Sequence, residues 1–461
     1  MRKIQGAMAL AFAMILLAAS WSTAHAQTGD CFTPLSGCLD TTFGTNVNGR
    51  VVTGINNNSS AQKLALEPIK QPDNTVIYKI VAATQAYPSG AAVIAVVRYN
   101  LDGSLDTSFQ NTGIVVTNIG GYVKGLAIQT DGKIVVVGFG GVIVVRFNTD
   151  GSLDSTFGSG GVVNLPATRA HPWAAWAVAI QNDNKIVVAG IGNGGGMAAW
   201  RFNANGSLDS SFGSGGNATV TFGKGSTSRA FSIILQSVVV SGITEQRIVL
   251  GGWECGANPG SKTGYDNFAL ARLTTSGQLD SSFGSSGEVT RDFAGYNDLI
   301  YALAIDPQNR IVAAGYADVT GAPTGGGSEF AVARYNADGS ADLNFGSNGA
   351  VTLRILAGDN YGRAVALQSN GSIVVAGYAY TSGNKEGYMT VARFTAAGAP
   401  DGTFGSNGFV TTDFSSFGAV GAVGYGLVLQ SDGKILVGGE AELTNAPGGS
   451  TSEVGLARYF Q

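Results

Sequence analysis

The amino-acid sequence predicts an all-β fold, a seven-bladed β-propeller with about four antiparallel strands in each blade. Three observations predict it. One motif, G-x-x-D-x-x-F, recurs seven times along the chain. Short runs rich in Val and Ile, bounded by Gly, Asn and Asp, fill the intervals between the motifs. Helical periodicity is absent beyond the N-terminal segment, so the units of this repeat are built from strands.

The recurring motif and a recurring arginine define the units. The motif aspartates are Asp40, Asp106, Asp154, Asp209, Asp280, Asp342 and Asp401, and a Phe follows each of them by three residues. The second marker is an arginine, found as Arg98, Arg146, Arg201, Arg272, Arg334, Arg393 and Arg458. Each of the first six arginines precedes the next motif Asp by eight positions, so length varies inside the units and not at these markers.

Four strand-like runs recur within a unit and are clearest in the second copy: "GIVVT", "VKGLAIQ", "KIVVVGF" and "VIVVRFN". The second and third runs are joined by short links such as "TDGK" and "SDGK", which have the Asp-Gly chemistry of two-residue hairpins. Four antiparallel strands in seven units describe propeller blades. An open β-solenoid is the alternative, but its coils are shorter and more uniform than these units.

The two ends of the chain are expected to meet. Asp40 has no preceding marker arginine, and Arg458 has no following motif aspartate. A closed ring would bring these two residues together, whereas a solenoid would keep them apart. We therefore predict that Arg458 lies near Asp40 across the closure point.

The N-terminus has the three parts of a secretory signal. They are basic "MRK", an apolar run, and "AHA" ending at Ala26. The apolar run is shorter than a bilayer span, and no later segment is longer. We expect residues 1–26 to be removed and 27–461 to form one exported propeller domain, secreted or periplasmic, beginning at Gln27 and without a membrane span. In that compartment Cys31 and Cys38 are expected to form a disulfide, and Cys255 to be a buried thiol.

The runs "LDSTFGSGGVV", "IQTDGKIVVVG" and "FALARLTTSGQLDSSFG" resemble the delta-60 repeat. This resemblance extends over essentially the whole chain after the signal, and it implies a bacterial β-propeller domain of unknown function. It carries no activity, cofactor or ligand to transfer. Gln110, Ala341 and Pro400 depart from the repeat pattern.

The motif loop is interpreted as the corner between one blade and the next, held by a structural latch, and not as a metal site. A calcium loop needs several oxygen ligands at alternate positions, but the first acid of this loop is present in only three copies. The carboxylate of Asp154 can instead accept amide hydrogens two and three residues on, while Phe157 enters the core. Arg146 lies where its guanidinium could reach that carboxylate, and Arg458 with Asp40 would repeat the arrangement. We expect no metal and no cofactor.

Composition and isolated residues exclude several functions. The net charge is −4 and the basic residues form no cluster, so we expect no nucleic-acid partner. His171 is the single His after the signal, and no nucleophile elbow accompanies it. Carboxylates that could serve a glycosidase-type reaction are Glu254, Asp266, Asp298, Asp359 and Glu440, and no pattern pairs any two of them.

Loops of variable length should crowd one face of the ring, because alternate connections of a meander emerge on the same side. They carry aromatic residues among Asn, Asp and Gly: Trp173, Trp176, Trp253, Tyr265, Tyr296, Tyr361, Tyr380 and Tyr388. Such rings suit glycan or peptide surfaces, although several could simply pack their own loops. The leading hypothesis is a monomeric scaffold that binds a glycan or protein partner there. The alternatives are a polysaccharide-acting hydrolase or lyase, which needs two carboxylates about 5 to 10 Å apart on that face, and a matrix component.

Overall fold

The structure is a computed structural model, and it describes residues 35–44, 48–56, 58–168, 173–223, 226–255, 265–320, 327–446 and 449–461. The expected signal segment 1–26, Cys31 and His171 lie outside these ranges. Among the described residues, no helix is long and apolar enough to cross a membrane. Cys38 is buried and disulfide-bonded, but its pairing with Cys31 stays a prediction. Cys255 is a free thiol and is only partly buried.

The predicted seven-bladed propeller is confirmed. The described strands form seven sheets, each of four antiparallel strands in sequential meander order. Blades 1 to 3 contain β2 (Ala61–Lys70), β3 (Val76–Ala86), β4 (Val93–Tyr99) and β5 (Ile114–Gly120); β6 (Tyr122–Ile128), β7 (Ile134–Phe139), β8 (Gly141–Phe147) and β9 (Val162–Pro166); and β10 (Ala174–Ile180), β11 (Ile186–Ile191), β12 (Met197–Phe202) and β13 (Asn217–Val220). The remaining sheets follow the same pattern.

Blades 4 to 6 contain β14 (Thr227–Val240), β15 (Ile243–Cys255), β16 (Asp266–Leu273) and β17 (Glu288–Arg291); β18 (Asp298–Ile305), β19 (Ile311–Asp318), β20 (Ser328–Tyr335) and β21 (Ala350–Leu353); and β22 (Asn360–Leu367), β23 (Ile373–Tyr380), β24 (Gly387–Phe394) and β25 (Phe409–Thr412). Blade 7 contains β26 (Ala419–Leu429), β27 (Ile435–Ala446), β28 (Gly449–Tyr459) and β1 (Arg50–Thr53). The first strand of the chain therefore completes the last blade.

The units read from the sequence are offset from the blades by one strand. The run "GIVVT", taken as the first strand of its unit, belongs to β5 and pairs with β4 of the preceding blade. The motif is consequently not the corner between blades, as the sequence suggested, but the connection between the third and fourth strands of one blade. In blade 2, for example, it lies between β8 and β9.

The first strands of all seven blades form the inner wall of the ring. Each of β2, β6, β10, β14, β18, β22 and β26 contacts the corresponding strand of its neighbours, and β26 contacts β2 to close the circle. The apolar core lies between adjacent blades. Between blades 1 and 2, Val81, Val96 and Phe109 pack against Val123 and Val136. Because every core layer is shared by two sheets, each blade depends on both of its neighbours.

The hairpin between the first and second strands differs in detail from the sequence prediction. In blade 2, Gln129 N donates to Lys133 O at 2.9 Å and Gly132 N donates to Gln129 O at 2.9 Å. This is a three-residue loop and not a two-residue one, with Gly132 at φ +84° in the left-handed region. These hairpins and the motif loops occupy the same side of the ring, which we call the motif face. The opposite side, carrying the variable connections, is the loop face.

The motif loop links each blade to the next one. Arg146 Nε donates to Asp154 Oδ2 at 2.8 Å, and its guanidinium lies 4.5 Å from the Phe157 ring centroid. The backbone N–H of Gly158 donates to Asn205 O in blade 3 at 2.8 Å. The corresponding backbone bond is present in all seven copies, ending with Gly405 N to Ser36 O. The motif therefore hydrogen-bonds one blade to the next, although it lies within a single blade.

Inside the motif, the aspartate caps its own turn. Asp154 Oδ1 accepts the backbone N–H of Thr156 at 3.0 Å and its hydroxyl at 2.6 Å. The amide three residues on, which the sequence also assigned to the carboxylate, donates instead to the Asp154 carbonyl at 3.0 Å. Phe157 is fully buried, and Gly158 is left-handed at φ +54°. The contacts are those of a latch, whereas its contribution to stability stays a prediction.

Candidate ligand-binding pocket on the loop face

One residue is skipped in the pairing of every innermost strand with the second strand of its blade. The pairing register shifts at this point in all seven blades, which marks a β-bulge near the loop-face end of each innermost strand. The skipped residues are Gln62, Lys124, Trp176, Phe231, Tyr301, Arg363 and Tyr425. A bulge bends its strand and re-aims a side chain.

All seven skipped residues line one pocket at the centre of the loop face. This central pocket has a volume of about 360 Å³, and Ser60, Lys63, Gln85 and Glu440 complete its lining. A volume of this size is in the range of small-molecule sites, roughly 300 to 1,000 Å³. The propeller therefore gathers one side chain from every blade around a single concave site.

The residue after the skipped one is small in most blades, because the innermost strands approach one another closely there. A Cβ added at Gly125 would lie 3.2 Å from Ala177 Cα in the next blade, and one at Gly426 would lie 2.8 Å from Leu64 N. Lys63 is the long side chain at this position. It lines both the central pocket and a second cavity of about 180 Å³ farther along the central channel.

Aromatic rings form one wall of the central pocket. The Trp176 and Phe231 centroids are 4.8 Å apart, and Phe231 stacks on Tyr301 at 5.3 Å with an interplanar angle of 14°. Cations lie on both ends of this wall. Lys124 Nζ is 5.2 Å from the Trp176 ring, and the Arg363 guanidinium is 3.9 Å from the Tyr301 ring. Each contact is in the range of a cation–π interaction.

The charged residues of the central pocket are mostly cationic. Lys63, Lys124 and Arg363 face one carboxylate, Glu440, among the described lining residues. Burial is the main cause that lowers the pKa of Lys63, and together with the charges of Arg363 and Lys124 it brings that pKa to about 8. Burial raises the pKa of Glu440, and the charge of Glu442 adds to that rise. Desolvation and like-charge repulsion thus act together on these groups.

The eight aromatic residues predicted to bind a ligand fall into two groups in the structure. Three lie in or near the central pocket, and five lie elsewhere. Trp176 lines the central pocket, and Trp173 lies beside it in a cavity of about 580 Å³ that Trp176 shares. Trp173 also packs on Trp200, with centroids 6.0 Å apart, and its indole N–H donates to Asn193 at 2.9 Å. Tyr361 does not line the pocket, but its ring lies 5.8 Å from the guanidinium of Arg363, which does.

The other five predicted aromatics contact side chains of their own or neighbouring loops and strands. Tyr265 packs on Tyr296 at 5.5 Å, and Tyr380 packs on Tyr378 at 5.6 Å. Trp253 lies under Arg229 at 5.3 Å. The hydroxyl of Tyr388 donates to Glu386 at 3.0 Å. None of these five lines the central pocket, and whether any of them binds a ligand stays a prediction.

Sequence reasoning missed most of the pocket, namely Gln62, Lys63, Lys124, Phe231, Tyr301, Arg363 and Tyr425. A signal is present when the innermost strands are aligned on their hairpins: "SAQKLAL", "YVKGLAI", "AAWAVAI", "RAFSIIL", "LIYALAI", "YGRAVAL" and "VGYGLVL". The third column is always a large side chain, usually between small ones, and its identity changes from copy to copy. A variable large residue at a fixed place in an otherwise repetitive strand indicates a position used for something other than packing.

The candidate catalytic carboxylates do not converge on the central pocket, although Glu254 and Asp266 lie near each other on the paired strands β15 and β16. Glu440 lines the central pocket, whereas Asp298, Asp359, Glu254 and Asp266 do not. Asp298 accepts the Phe293 N–H at 2.8 Å, and burial raises its pKa to about 8. Glu254 is buried and accepts a hydrogen bond from Asn267 at 3.0 Å. In the part of the chain that the structure describes, no group of three or more His, Cys, Asp or Glu is placed to hold a metal ion.

The fold and the pocket together define a class: a closed seven-bladed propeller with one side chain per blade around a central cavity on the loop face. The chain belongs to the family described as a domain of unknown function (DUF5122) beta-propeller. The matched residues are 71–109, 129–157, 181–212, 260–283, 307–345, 368–404 and 430–461. No curated protein matches the chain in sequence.

Solved propellers resemble this chain in structure. Virginiamycin B lyase from Staphylococcus aureus is 12% identical with a TM-score of 0.45, covering 88% of this chain and 98% of the lyase. The Dos1 propeller is 9% identical with a TM-score of 0.44, covering 88% and 95%. YCF48 bound to D1 peptide is 9% identical with a TM-score of 0.42, covering 95% and 98%. At these values the similarities carry no argument about activity or ligand.

Proposed function

We propose that this protein is an exported binding protein whose loop face takes a glycan, with the central pocket as the main contact. The observation that carries the proposal is the convergence of seven side chains of six residue types, one from each blade, on one cavity of about 360 Å³. The blades hold these side chains on strands of a closed ring, so the site is preorganised and loses little conformational entropy on binding.

The pocket chemistry suits a sugar. The faces of Trp176, Phe231 and Tyr301 can cover the apolar side of a sugar ring, and Gln62, Gln85 and Ser60 offer donors and acceptors for its hydroxyls. A folded protein partner, the other occupant that the sequence suggested, would have to use a much larger area, about 800 Å² on each side. A cavity of this size favours a small ring-shaped group.

We do not propose catalysis at this site. Hydrolysis of a glycosidic bond needs two carboxylates on either side of the bond. Glu440 is the single carboxylate among the described residues that line the central pocket. The hydrolase or lyase alternative therefore has no pair of groups at the place where a glycan would lie.

A glycan array probed with the purified protein tests the proposal. We expect binding by the wild type, and a loss of at least tenfold in affinity for Trp176→Ala and Tyr301→Ala, because each removes one aromatic face. Tyr78→Ala is the matched control, since Tyr78 is exposed in β3 on the motif-face side. An array without any bound glycan, or equal loss in the control, would contradict the proposal.

Export is tested separately. The proposal includes removal of residues 1–26 and a disulfide between Cys31 and Cys38 in the mature protein. Edman sequencing of protein recovered outside the cytoplasm should begin at Gln27. Protein that starts at Met1 and stays in the cytoplasmic fraction would be evidence against export.

A further inference from the structure

We propose that the central pocket binds the carboxylate of an acidic sugar, a uronic acid residue, between Lys63, Lys124 and Arg363, with the sugar ring against the neighbouring aromatic wall. This inference rests on the proposed function and names its ligand class. Three cations come from three different blades, on β2, β6 and β22, and all three line the same pocket. No part of the sequence clusters them, so the ring closure alone brings them together.

The pocket cations lack the partners that cations have elsewhere in the molecule. On the motif face, Lys133 lies 3.5 Å from Asp154 and Lys185 lies 3.2 Å from Asp209. Among the described residues, neither Lys63 nor Lys124 makes an ion pair or a side-chain hydrogen bond. A protein that pairs its cations on one face and gathers unpaired ones in a cavity on the other has a site of positive potential there.

Arg363 is only partly satisfied by the protein. Its Nη2 donates to the Tyr378 hydroxyl at 2.6 Å, whereas its Nε is buried without a hydrogen-bond partner among the described residues. A buried guanidinium nitrogen without an acceptor is costly to leave unbonded. A planar carboxylate matches the fork of a guanidinium and can accept from two of its nitrogens. Arg363 therefore lines the pocket with a donor that the described residues leave unbonded and with a guanidinium of the shape that a carboxylate recognises.

The electrostatic balance favours an anion. Burial lowers the pKa of Lys124, and the charge of Arg363 lowers it further, as at Lys63. Glu440 is the single carboxylate among the described lining residues and stands against three cations, and burial raises its pKa. An anionic group placed among the three cations would relieve their mutual repulsion and stabilise their charged forms.

The aromatic wall distinguishes a charged sugar from a bare anion. Phe231 and Tyr301 stack 5.3 Å apart directly beside Arg363, which lies over Tyr301. A sugar whose carboxylate meets the cations would lay its ring along these faces. A small inorganic anion would leave that apolar surface in contact with water.

Isothermal titration with matched probes tests the inference. We expect oligogalacturonate, glucuronate or mannuronate oligomers to bind at least tenfold more tightly than the same oligomers as methyl esters. Sulfated galactose oligomers form a separate arm, because tighter binding there would assign the cations to a sulfate ester and overturn the carboxylate. No binding of any uronate, or equal binding of acid and ester, would also overturn it.

Variants separate this inference from the proposed function. Lys124→Met and Arg363→Met should each weaken uronate binding about tenfold or more, because each removes a charge-assisted hydrogen bond, and each should lower the ratio of acid to methyl-ester affinity. Lys385→Met, an exposed lysine on the same face outside the pocket, is the matched control. If neutral glycans bind and both variants bind the uronate normally, the inference fails while the proposed function stands. If no glycan binds on the array, the proposed function fails as well.

Discussion

Arg458 Nη2 lies 2.7 Å from Asp40 Oδ2, so the last marker arginine of the chain is paired with the first motif aspartate. The backbone of the motif is repeated as well, since Asp40 N donates to Arg458 O at 2.8 Å. The Arg458 guanidinium lies 4.7 Å from the Phe43 ring centroid, within the 4.5 to 4.8 Å found in the other six copies. In those other copies the arginine uses Nε and not Nη2, at 2.8 Å between Arg146 and Asp154. The motif copy that closes the ring therefore joins the same three residue types, but its arginine reaches the aspartate through a different nitrogen.

Arg458→Met is expected to lower the free energy of unfolding by about 2 to 4 kcal/mol, because it leaves the buried Asp40 carboxylate without its main cation. Urea denaturation followed by tryptophan fluorescence at neutral pH measures this. Lys385→Met, with the same loss of charge at an exposed site, should change it by less than about 0.5 kcal/mol. Equal stability of Arg458→Met and the wild type would show that β1 alone closes the ring.

Asp154→Ala should destabilise the protein more than Asp401→Ala. Asp154 is paired with Arg146 and also with Lys133 at 3.5 Å, whereas Asp401 is paired with Arg393 and is more exposed. Removal of Asp154 thus takes a carboxylate away from two cations, of which Lys133 keeps Asp131 at 3.1 Å and Arg146 loses its carboxylate partner. Differential scanning calorimetry should show the larger fall in melting temperature for Asp154→Ala. Neither variant should alter binding at the loop face, and a changed affinity would argue against a purely structural latch.

Ser372→Lys is expected to stabilise blade 6. Ser372 stands directly before β23, where Lys133, Lys185 and Lys434 stand before their own second strands and pair with a motif aspartate. The new lysine would give Asp401 a second cation and raise stability by up to about 1 kcal/mol, since such partly exposed pairs are weak. Ser369→Lys, in the same hairpin but exposed, is the control. A melting temperature of Ser372→Lys at or below that of the control would refute the expected pairing of the new lysine with Asp401.

Acid should unfold the protein through the motif aspartates. Burial opposes ionisation of Asp154, but hydrogen bonds from Thr156 and the charges of Arg146 and Lys133 outweigh it and lower its pKa to about 2. A lowered pKa stabilises the fold above the unfolded value near 3.9, and that stabilisation is lost as pH falls toward 2. Melting temperatures measured from pH 7 to pH 2 should fall mainly below about pH 4. In Asp154→Ala the melting temperature should fall less steeply with decreasing pH. The same dependence in the variant and the wild type would show that protonation of Asp154 does not contribute.

Blade number and latch partners were predictable because they repeat. The motif and its arginine recur at fixed spacing, and a contact repeated around a ring has to join equivalent residues, which is how Arg458 was matched with Asp40. The phase of the blades was not predictable in the same way. A periodic pattern has the same period wherever its unit is taken to begin. The phase is therefore fixed only by strand pairing, such as that of β5 with β4 and of β1 with β28.

The pocket could not be predicted as a site because its residues have no common identity. Lys124, Trp176 and Arg363 are far apart in sequence and chemically unlike. They meet only because the register of every innermost strand shifts at the same place. Loop length and composition predicted ligand-binding aromatics such as Tyr265 and Tyr296, but in the structure these two rings pack on each other. Loop length indicated the correct face, whereas strand register determined which side chains reach its centre.

The electrostatics of the pocket can be tested without a ligand through Lys63. Its neighbours on the facing elements are Lys124 on β6, Tyr301 on β18, Arg363 on β22, Tyr425 on β26 and Glu440 on β27. Burial and the two nearby cations lower the pKa of Lys63 to about 8 from an ordinary value near 10.4. The charged form of this lysine therefore predominates only below about pH 8.

We expect one lysine resonance in a ¹³C-dimethylated sample to titrate near pH 8 and to be missing in Lys63→Met. Arg363→Gln should move that titration upward, because it removes a like charge, while burial keeps it below the ordinary value. Lys385→Met should leave it unchanged. A bound uronate should raise it, since an anion favours the ammonium form, and uronate affinity should fall as pH rises above 8. Titration of Lys63 near pH 10.4 in the wild type would mean that the cavity is open enough to water to screen its three cations.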